Sequence, residues 1–397
     1  MTMTGKTIFL AALGLLANAA AYAREPLVPD QHTRQSLISF LRDTGTWAIE
    51  HNVAAGDLAI PQKYRTSIFI NSNLARVLLA LYDLTGEETY RRNALAWFDR
   101  LASLQQTTLS TRGDTVGYWG DMSPSGNIYL GDAGTSATAL AGALRHADPA
   151  RQARYLQALL RYADFVRYGC KQDPQDKNRG GSPGWIISEG KDAGAVGCGY
   201  YRGQLSLAPY TIATSVTGAA FFSALAEWTG KAEYMTIAEN ATAWLLRQRR
   251  PDGEIPYILH NSMLTEWPLD TMSYASDGLI SVHSRSPRQE IRQLIESELR
   301  FSLQWLLNRM NKAGVWGRLR SQDQQRSQGA LNLLVWYYDQ VSANQDVRQA
   351  IQRNYEFFLN RRNAEAYGMN ELPISIGFVG LGLAEVLEPG ITYRIRE

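Results

Sequence analysis

The sequence has little of what marks nucleic-acid-binding, membrane-spanning or nucleotide-dependent proteins. Its 397 residues carry a formal net charge of +2 and no run of lysine or arginine, which argues against a nucleic-acid partner because such a surface is strongly basic. Beyond the N-terminus no segment offers the roughly 20 apolar residues of a transmembrane helix, so we expect a mature protein without a membrane span. Walker, GxGxxG, Gly-x-Ser-x-Gly and His-Glu-x-x-His motifs are missing, and neither a cofactor nor a metal is expected.

Cysteine is nearly absent, with only Cys170 and Cys198 in the whole chain. The two residues flank a long glycine-rich loop, and in an oxidising compartment this pair predicts a disulfide. Two separate free thiols are the alternative, because the sequence does not show whether the geometry allows a bond. A zinc site is disfavoured, since two cysteines without a nearby histidine do not supply four ligands.

What the chain does have begins with the features of a secretory signal peptide. Lys6 precedes the apolar run at 8–16, and Ala21 and Ala23 supply the small residues of a cleavage site. The apolar run is too short to cross a bilayer as an anchor. We therefore expect residues 1–23 to be removed and the mature protein to be periplasmic or secreted.

From residue 31 onward, apolar residues recur at helical spacing, and no convincing alternating run indicates a strand. The pattern predicts an all-α fold with helices at 31–51, 66–84, 87–106, 134–147, 150–169, 209–228, 231–248, 271–284, 286–309, 326–341, 344–361 and 374–388. Turn and capping residues at 85–86, 148–149, 229–230 and 286–287 predict tight αα-hairpins.

The predicted helices are of two kinds. One member of each hairpin is small and apolar, as at 137–144 and 215–226, whereas the other is amphipathic and charged, as at 288–309. Helices that are apolar all round belong inside and amphipathic helices outside. We therefore expect an inner ring of helices within an outer ring, as a single domain over residues 24–397. The Thr-Gly…Tyr…Trp pattern at 85–97 recurs at 229–244, which favours a repeated hairpin.

In these features the chain resembles the six-hairpin, or (α/α)6-toroid, superfamily of glycoside hydrolases, polysaccharide lyases and uronyl epimerases. The resemblance covers nearly the whole mature chain and is architectural, without a motif specific to one family. It implies a carbohydrate substrate and an active site where the inner helices begin. Terpene cyclases and protein prenyltransferases share the toroid shape, but their Asp-rich diphosphate motifs are absent.

The long connections at 107–133, 170–208, 249–270, 310–325 and 362–373 all enter inner helices and so share one rim. They are rich in aromatic and acidic residues, which suit the C–H faces and the hydroxyl groups of sugars. We predict substrate contacts from Trp119, Trp185, Tyr200, Tyr201, Arg202, His260, Trp267, Asp270, Trp316 and Arg320. For any one aromatic residue, the alternative is a wedge that packs its own loop.

Glycoside cleavage needs two carboxyl groups, about 5–5.5 Å apart in retaining enzymes and about 6.5–9.5 Å apart in inverting ones. Asp132, among small residues at the start of the second inner helix, is the first candidate, with Asp121, Asp277 or Glu189 as the second. The alternatives are a helix N-cap for Asp132 and an Asx-turn for Asp121. Asp277 lies inside an apolar helix, where it could instead pair with a core arginine.

Three functions are compatible with these residues. The first is an exported glycoside hydrolase that acts on a bacterial exopolysaccharide or its oligosaccharides. The second is a lyase or uronyl C5-epimerase on an acidic polysaccharide, which would depend on Tyr201, Arg202, His260 and Arg320 to neutralise a carboxylate and remove its α-proton. The third is a non-catalytic glycan-binding component of a polysaccharide secretion machinery, which would tolerate loss of every rim acid.

Overall fold

A computed structural model describes residues 24–53, 68–120, 127–174, 176, 178–201, 204–259, 262–264, 268–317 and 328–394, with only the backbone at 52, 53, 201 and 264. The expected signal peptide at 1–23 lies outside these residues. Helices dominate the described chain. None of them combines the length and the hydropathy that crossing a bilayer requires.

Outer and inner helices alternate along the described chain. In order, the pairs are α1 (Gln31–Ala48) and α2 (Ile68–Thr85), α3 (Glu88–Leu104) and α4 (Leu130–Ala143), α5 (Pro149–Tyr168) and α6 (Thr211–Ala213, Thr214–Phe221 and Phe222–Thr229 without a break), α7 (Ala232–Gln248) and α8 (Pro268–Arg285), α9 (Gln289–Arg309) and α10 (Ala330–Trp336), and α11 (Gln345–Leu359) and α12 (Pro373–Leu387). π-Helical turns extend α1 over Ile49–Val53 and α10 over Tyr337–Val341, a 3-10 turn, Leu144–His146, follows α4, and a short helix, Arg361–Ala366, precedes α12.

The even-numbered helices form a closed inner ring. They contact one another in the order α2, α4, α6, α8, α10, α12 and back to α2, while the odd-numbered helices pack outside them. The inner helices are buried along most of their length, and every residue of α12 is buried. The predicted (α/α)6 toroid is therefore confirmed. All inner helices begin at the same end of the ring, here called the upper rim, and end at the lower rim.

The turns that the sequence predicted at the lower rim are present. Gly86 and Gly230 each end an inner helix with φ of 72°, the left-handed conformation that glycine adopts without strain. Asp148 caps α5 by accepting a hydrogen bond from Arg151 N at 2.9 Å. The Ser286 hydroxyl accepts one from Arg288 N at 3.1 Å. Each of these turns links an inner helix to the next outer helix, as predicted.

Short antiparallel strands, which the sequence did not indicate, lie in the upper-rim connections. They are β1 (Gln106–Leu109) with β2 (Thr115–Tyr118), β3 (Ile128–Tyr129) with β6 (Gly197–Tyr201) and β7 (Gln204–Pro209), β4 (Cys170–Gln172) with β5 (Gly180–Ser182), and β8 (Tyr257–Leu259) with β9 (Ser262–Leu264). Strands this short give almost no periodic signal. They brace the loops above the ring and leave the all-α class unchanged.

Close approach of the inner helices depends on residues without a side chain. A Cβ on Gly134 of α4 would lie 2.7 Å from Thr217 N of α6, and one on Gly278 of α8 would lie 2.6 Å from Ser215 O of α6. Both distances are shorter than a van der Waals contact, so the backbones would have to separate. The small residues of the inner helices thus allow the ring to close.

Replacing Gly134 by alanine should therefore destabilise the toroid. Overpacking of this kind costs about 1–3 kcal/mol, and the added methyl would also push on the Thr217 hydroxyl, which donates to Leu130 O at 2.5 Å. Gly142 is the matched control, because it lies on the same helix and a Cβ added there would have no neighbour within 4 Å. Gly142→Ala should be neutral or stabilising by up to about 1 kcal/mol. Urea unfolding of both variants measures the difference, and equal effects would contradict this account of the ring.

Candidate active site

The first turns of the inner helices place several polar side chains at the upper rim. Helix α4 begins at Leu130, four residues before the predicted start, so Asp132 lies within its first turn. The residue in the cap position is Tyr129 rather than Asp132, and the interpretation of Asp132 as an N-cap is wrong. Asp132 is half-buried, and a carboxylate in the first turn is favoured by the helix dipole.

Tyr210, directly before α6, lies against the first turn of α4. A Cβ on Gly131 would be 3.2 Å from Cε1 of Tyr210 and 3.6 Å from its hydroxyl oxygen. Burial, together with neighbouring groups that include Asp132, raises the pKa of Tyr210 well above its ordinary value. Burial and then the Asp132 charge raise the pKa of Cys198 to about 12. Asp132 therefore lies among buried groups that stay protonated at neutral pH.

A second tyrosine completes this cluster. The hydroxyl oxygens of Tyr210 and Tyr257 are 3.1 Å apart, and both rings are buried. Thr211 holds the strand that carries Tyr257, because its hydroxyl donates to Pro256 O and accepts from Ile258 N, each at 2.9 Å. Since its pKa is raised, Tyr210 suits hydrogen-bond donation better than proton abstraction. Tyr210 is not among the site residues predicted from the sequence, although the helix predicted over 209–228 places it at the start of an inner helix.

Helix α8 presents acids to the bore of the ring. Asp277 pairs with Arg76 of α2 at 3.5 Å, and α2 and α8 are opposite members of the ring, so this ion pair spans the bore. Asp270 is seven residues earlier and Tyr274 four residues after Asp270, which puts all three on one face of α8. Asp270 is buried in the first turn, about 10 Å nearer the upper rim than Asp277.

The arginine-paired alternative for Asp277 is thus confirmed by its geometry. As a partner of Asp132 it would lie deep in the bore, two turns below the rim. Glu189 is placed differently again, since it is exposed on a turn of the loop between β5 and β6. Among the described residues, Asp132 and Asp270 are the predicted acids that occupy first turns of inner helices.

Several aromatic residues predicted to stack on sugars are instead buried and pack the loops that carry them. Trp119 and Trp316 are buried, and their indole N–H groups donate to Leu101 O at 2.8 Å and to Leu306 O at 2.9 Å. These carbonyls belong to outer helices, so each ring fastens its loop to the outside of the toroid. A fully buried ring offers no face to a ligand, and the stacking role predicted for these residues is wrong.

Trp185 and Tyr200 are also buried, and they pack against each other edge to face with ring centroids 5.7 Å apart. The remaining predicted contacts are not described. Tyr201 belongs to β6, but its side chain lies outside the described residues. The same holds for the whole of Asp121, Arg202, His260, Trp267 and Arg320.

The predicted disulfide is absent from the structure. Cys170 and Cys198 are both buried free thiols. Cys170 lies in β4, which pairs with β5, whereas Cys198 lies in β6 of a different sheet. The Cys170 sulfur is instead 3.2 Å from the Tyr200 hydroxyl. Separate sheets and this hydrogen bond explain why the two residues are not linked.

Metal ligation finds no support in the described part of the chain, where no three His, Cys, Asp or Glu side chains cluster as a metal site.

No protein-family model matches the sequence, and a search of curated proteins finds no match. Solved structures share the fold. The α-1,6-mannanase GH76A of Salegentibacter is 12% identical, with a TM-score of 0.58 over 88% of this chain and 98% of that one. A possible GH105 member from Salmonella enterica is 11% identical, with a TM-score of 0.58 over 89% and 94%. Cellobiose 2-epimerase from Bacillus thermoamylovorans is 10% identical, with a TM-score of 0.57 over 87% and 99%.

These neighbours are (α/α)6-toroid carbohydrate-active proteins, as the sequence resemblance implied. An inactive variant of the mannanase, with two consecutive aspartates replaced by alanine, is seen with an α-1,6-linked mannotetraose. At such low identity the likeness shows the fold.

The thiols offer a direct test of the loop structure. Burial raises the pKa of the Cys170 thiol as well as that of Cys198, and such thiols react slowly. We expect Ellman's reagent to titrate both cysteines quickly only after unfolding. The mass of the non-reduced protein should equal that of the reduced chain. A mass about 2 Da lower would instead show that the disulfide forms.

Proposed function

We propose that the chain is an exported glycoside hydrolase that acts at the upper rim on a polysaccharide or its oligosaccharides, with Asp132 as one of two catalytic carboxyl groups. The observation that carries this proposal is the position of Asp132, half-buried in the first turn of α4 beside the Tyr210 ring. Export is supported by the signal-peptide pattern of residues 1–23.

Asp270 is the described residue best suited to be the second carboxyl group. It occupies the first turn of α8, and α4 and α8 flank α6 on its two sides. The Tyr210–Tyr257 pair lies at the start of α6, between them. Acid-assisted glycoside cleavage needs two carboxyl groups, and α4 and α8 would supply one from each side of α6. Asp121, outside the described residues, stays the alternative second acid.

Tyr210 has a supporting role in this proposal. With its pKa raised by burial, its phenol keeps its proton and can donate a hydrogen bond to a carboxylate or to a sugar oxygen. Such a donor orients the group it contacts. The inactive mannanase lacks two aspartates that are adjacent in its sequence. This chain contains no two consecutive aspartates, so its two proposed acids come from different helices.

The epimerase and lyase alternatives share the same fold, as the cellobiose 2-epimerase neighbour illustrates. They would use Tyr201, Arg202, His260 and Arg320, and the raised pKa of Tyr210 argues against that residue as their base. The non-catalytic glycan-binding alternative requires no rim acid. One assay separates the hydrolase and the lyase from the other two functions.

The mature protein should be incubated with neutral polysaccharides, including an α-1,6-mannan, and with uronate-containing ones. Reducing ends and the ultraviolet absorbance of unsaturated uronates should be followed together. We expect reducing ends without absorbance. Asp132→Asn and Asp270→Asn should each lower kcat/KM by about 10²- to 10⁴-fold, because proton transfer to or from the reacting group is lost.

Asp43→Asn is the matched control, since Asp43 is an exposed aspartate on outer helix α1, and it should leave the rate unchanged. Absorbance rising with the reducing ends would replace the hydrolase by a lyase. Full activity in Asp132→Asn would overturn the assignment of Asp132. Glycan binding without reducing ends or absorbance would favour the epimerase or the non-catalytic function.

A further inference from the structure

The chain turns back into the toroid after α12. Residues 389–394, here called the return segment, run across the lower rim, and Ile391 and Tyr393 within it are buried. Beside α2 and α4, the space left between this segment and the inner helices is a cavity of about 30 Å³, lined by Arg76, Thr138 and Ser281 among others. Such a volume holds about two water molecules. On the other side of the segment, beside α8 and α10, a larger cavity of about 570 Å³ remains. The return segment therefore covers the lower end of the bore beside α2 and α4.

A buried carboxylate anchors the segment. Glu385 of α12 is 2% exposed. One of its oxygens accepts from Gly390 N at 2.6 Å, and the other accepts from Thr392 N at 2.7 Å and from the Thr392 hydroxyl at 2.5 Å. Burial raises the pKa of Glu385 to about 7, while the donors of Thr392 and Gly390 act to lower it. Since an unpaired buried carboxylate is costly, Glu385 is satisfied only when the segment is in place.

Three other inner helices hold the segment as well. Arg285 of α8 donates to Tyr393 O. Asn332 of α10 donates through Nδ2 to the Tyr393 hydroxyl at 3.2 Å. Arg76 of α2 donates to Thr392 O at 3.4 Å. With Glu385 on α12, these contacts tie the segment to members on opposite sides of the ring.

Arg76 links the return segment to the acid in the bore. Its guanidinium contacts Thr392 O below and is 3.5 Å from Asp277 of the opposite helix. The side chains of Arg76 and Asp277 are only 9% and 14% exposed. The Asp277 charge also contributes, after burial, to raising the pKa of Tyr393. The ion pair across the bore thus lies directly above the segment.

We propose that the return segment is a positioning element for Asp277: it closes the lower end of the bore beside α2 and α4 and holds Arg76 against that carboxylate, the deepest acid on the face of α8 that also carries Asp270. Asp277 would accept hydrogen bonds from the hydroxyl groups of the sugar that reaches deepest into the bore. This role of Asp277 rests on the proposed glycan-processing function, whereas the closure of the bore does not.

Closure is tested without any substrate. Ser281→Cys places a thiol beside the filled part of the bore, where Ser281 is 2% exposed. Labelling of this cysteine by a methanethiosulfonate should be slow in the full chain and fast in a variant that ends at Glu388. Thr392→Val, which removes one donor to Glu385 in the full-length chain, should raise the labelling rate by about tenfold, the value expected for losing one hydrogen bond to a charged group.

Cys170 and Cys198, in the loops of the upper rim, serve as internal controls in the same samples. Their labelling should not change, which shows that the ring stays folded. If the shortened variant unfolds, Thr392→Val still decides the question. Equal labelling of Ser281→Cys with and without the Thr392 substitution would overturn the closure.

Positioning is tested by a double-mutant cycle. Asp277→Asn and Thr392→Val should each raise KM for the glycan, or weaken its binding if turnover is absent, and leave the pH profile of kcat unchanged. The double variant should have the same KM as Asp277→Asn alone, or bind the glycan equally well, because both changes act through one carboxylate. Independent, multiplying effects would show that the segment acts on stability and not on Asp277. If the hydrolase assay showed no turnover, the labelling test of Ser281→Cys would still decide whether the segment closes the bore.

Discussion

The close packing of the inner helices around a narrow bore is the constraint on which the rest of the structure depends. At Gly134 and Gly278 the backbones of neighbouring helices leave no room for a methyl group, and interiors of this density transmit any change in volume. The outer helices then need to bury only one face, which explains their charge. At the middle of the bore the Arg76–Asp277 pair crosses it. Buried ion pairs seldom add stability over an apolar core, which is compatible with the proposed role of Asp277 in binding.

Parallel inner helices give the two rims opposite electrostatic character. Every helix N-terminus of the inner ring lies at the upper rim, and its partial positive charge favours acids such as Asp132 and Asp270 in the first turn. The C-termini at the lower rim favour cations, and Arg285 ends α8 there. Short turns complete the lower rim, and the return segment crosses it. Long connections are left for the upper rim alone, which concentrates the loops and the candidate acids at one end.

The composition of a loop does not reveal whether its aromatic residues bind a ligand or pack the loop itself. A tryptophan in a polar loop has the same local sequence whether it faces a ligand or fastens the loop. Trp119 and Trp316 do the latter, because carbonyl groups at the ends of outer helices α3 and α9 accept their indole N–H groups. Carbonyl groups in the last turn of a helix often lack intrahelical partners. Leu306 O also accepts from Met310 N at 3.0 Å, so the Trp316 indole is its second donor. Tyr210 lies beside the first turn of α4, which carries Asp132, because it directly precedes the neighbouring inner helix α6.

The sequence by itself determined the architecture: the helical period, the small inner helices, the Thr-Gly and Asp-Pro turns and the common rim of the long loops all follow from local chemistry that acts within a few residues. It also singled out Asp132, although it placed the start of α4 four residues late. Only the tertiary structure decided which side chains meet. The Arg76–Asp277 pair joins helices 201 residues apart in the chain, the two cysteines lie in different sheets, and Glu385 receives a segment that folds back on it. Such contacts depend on how the ring closes, and no local pattern encodes that closure.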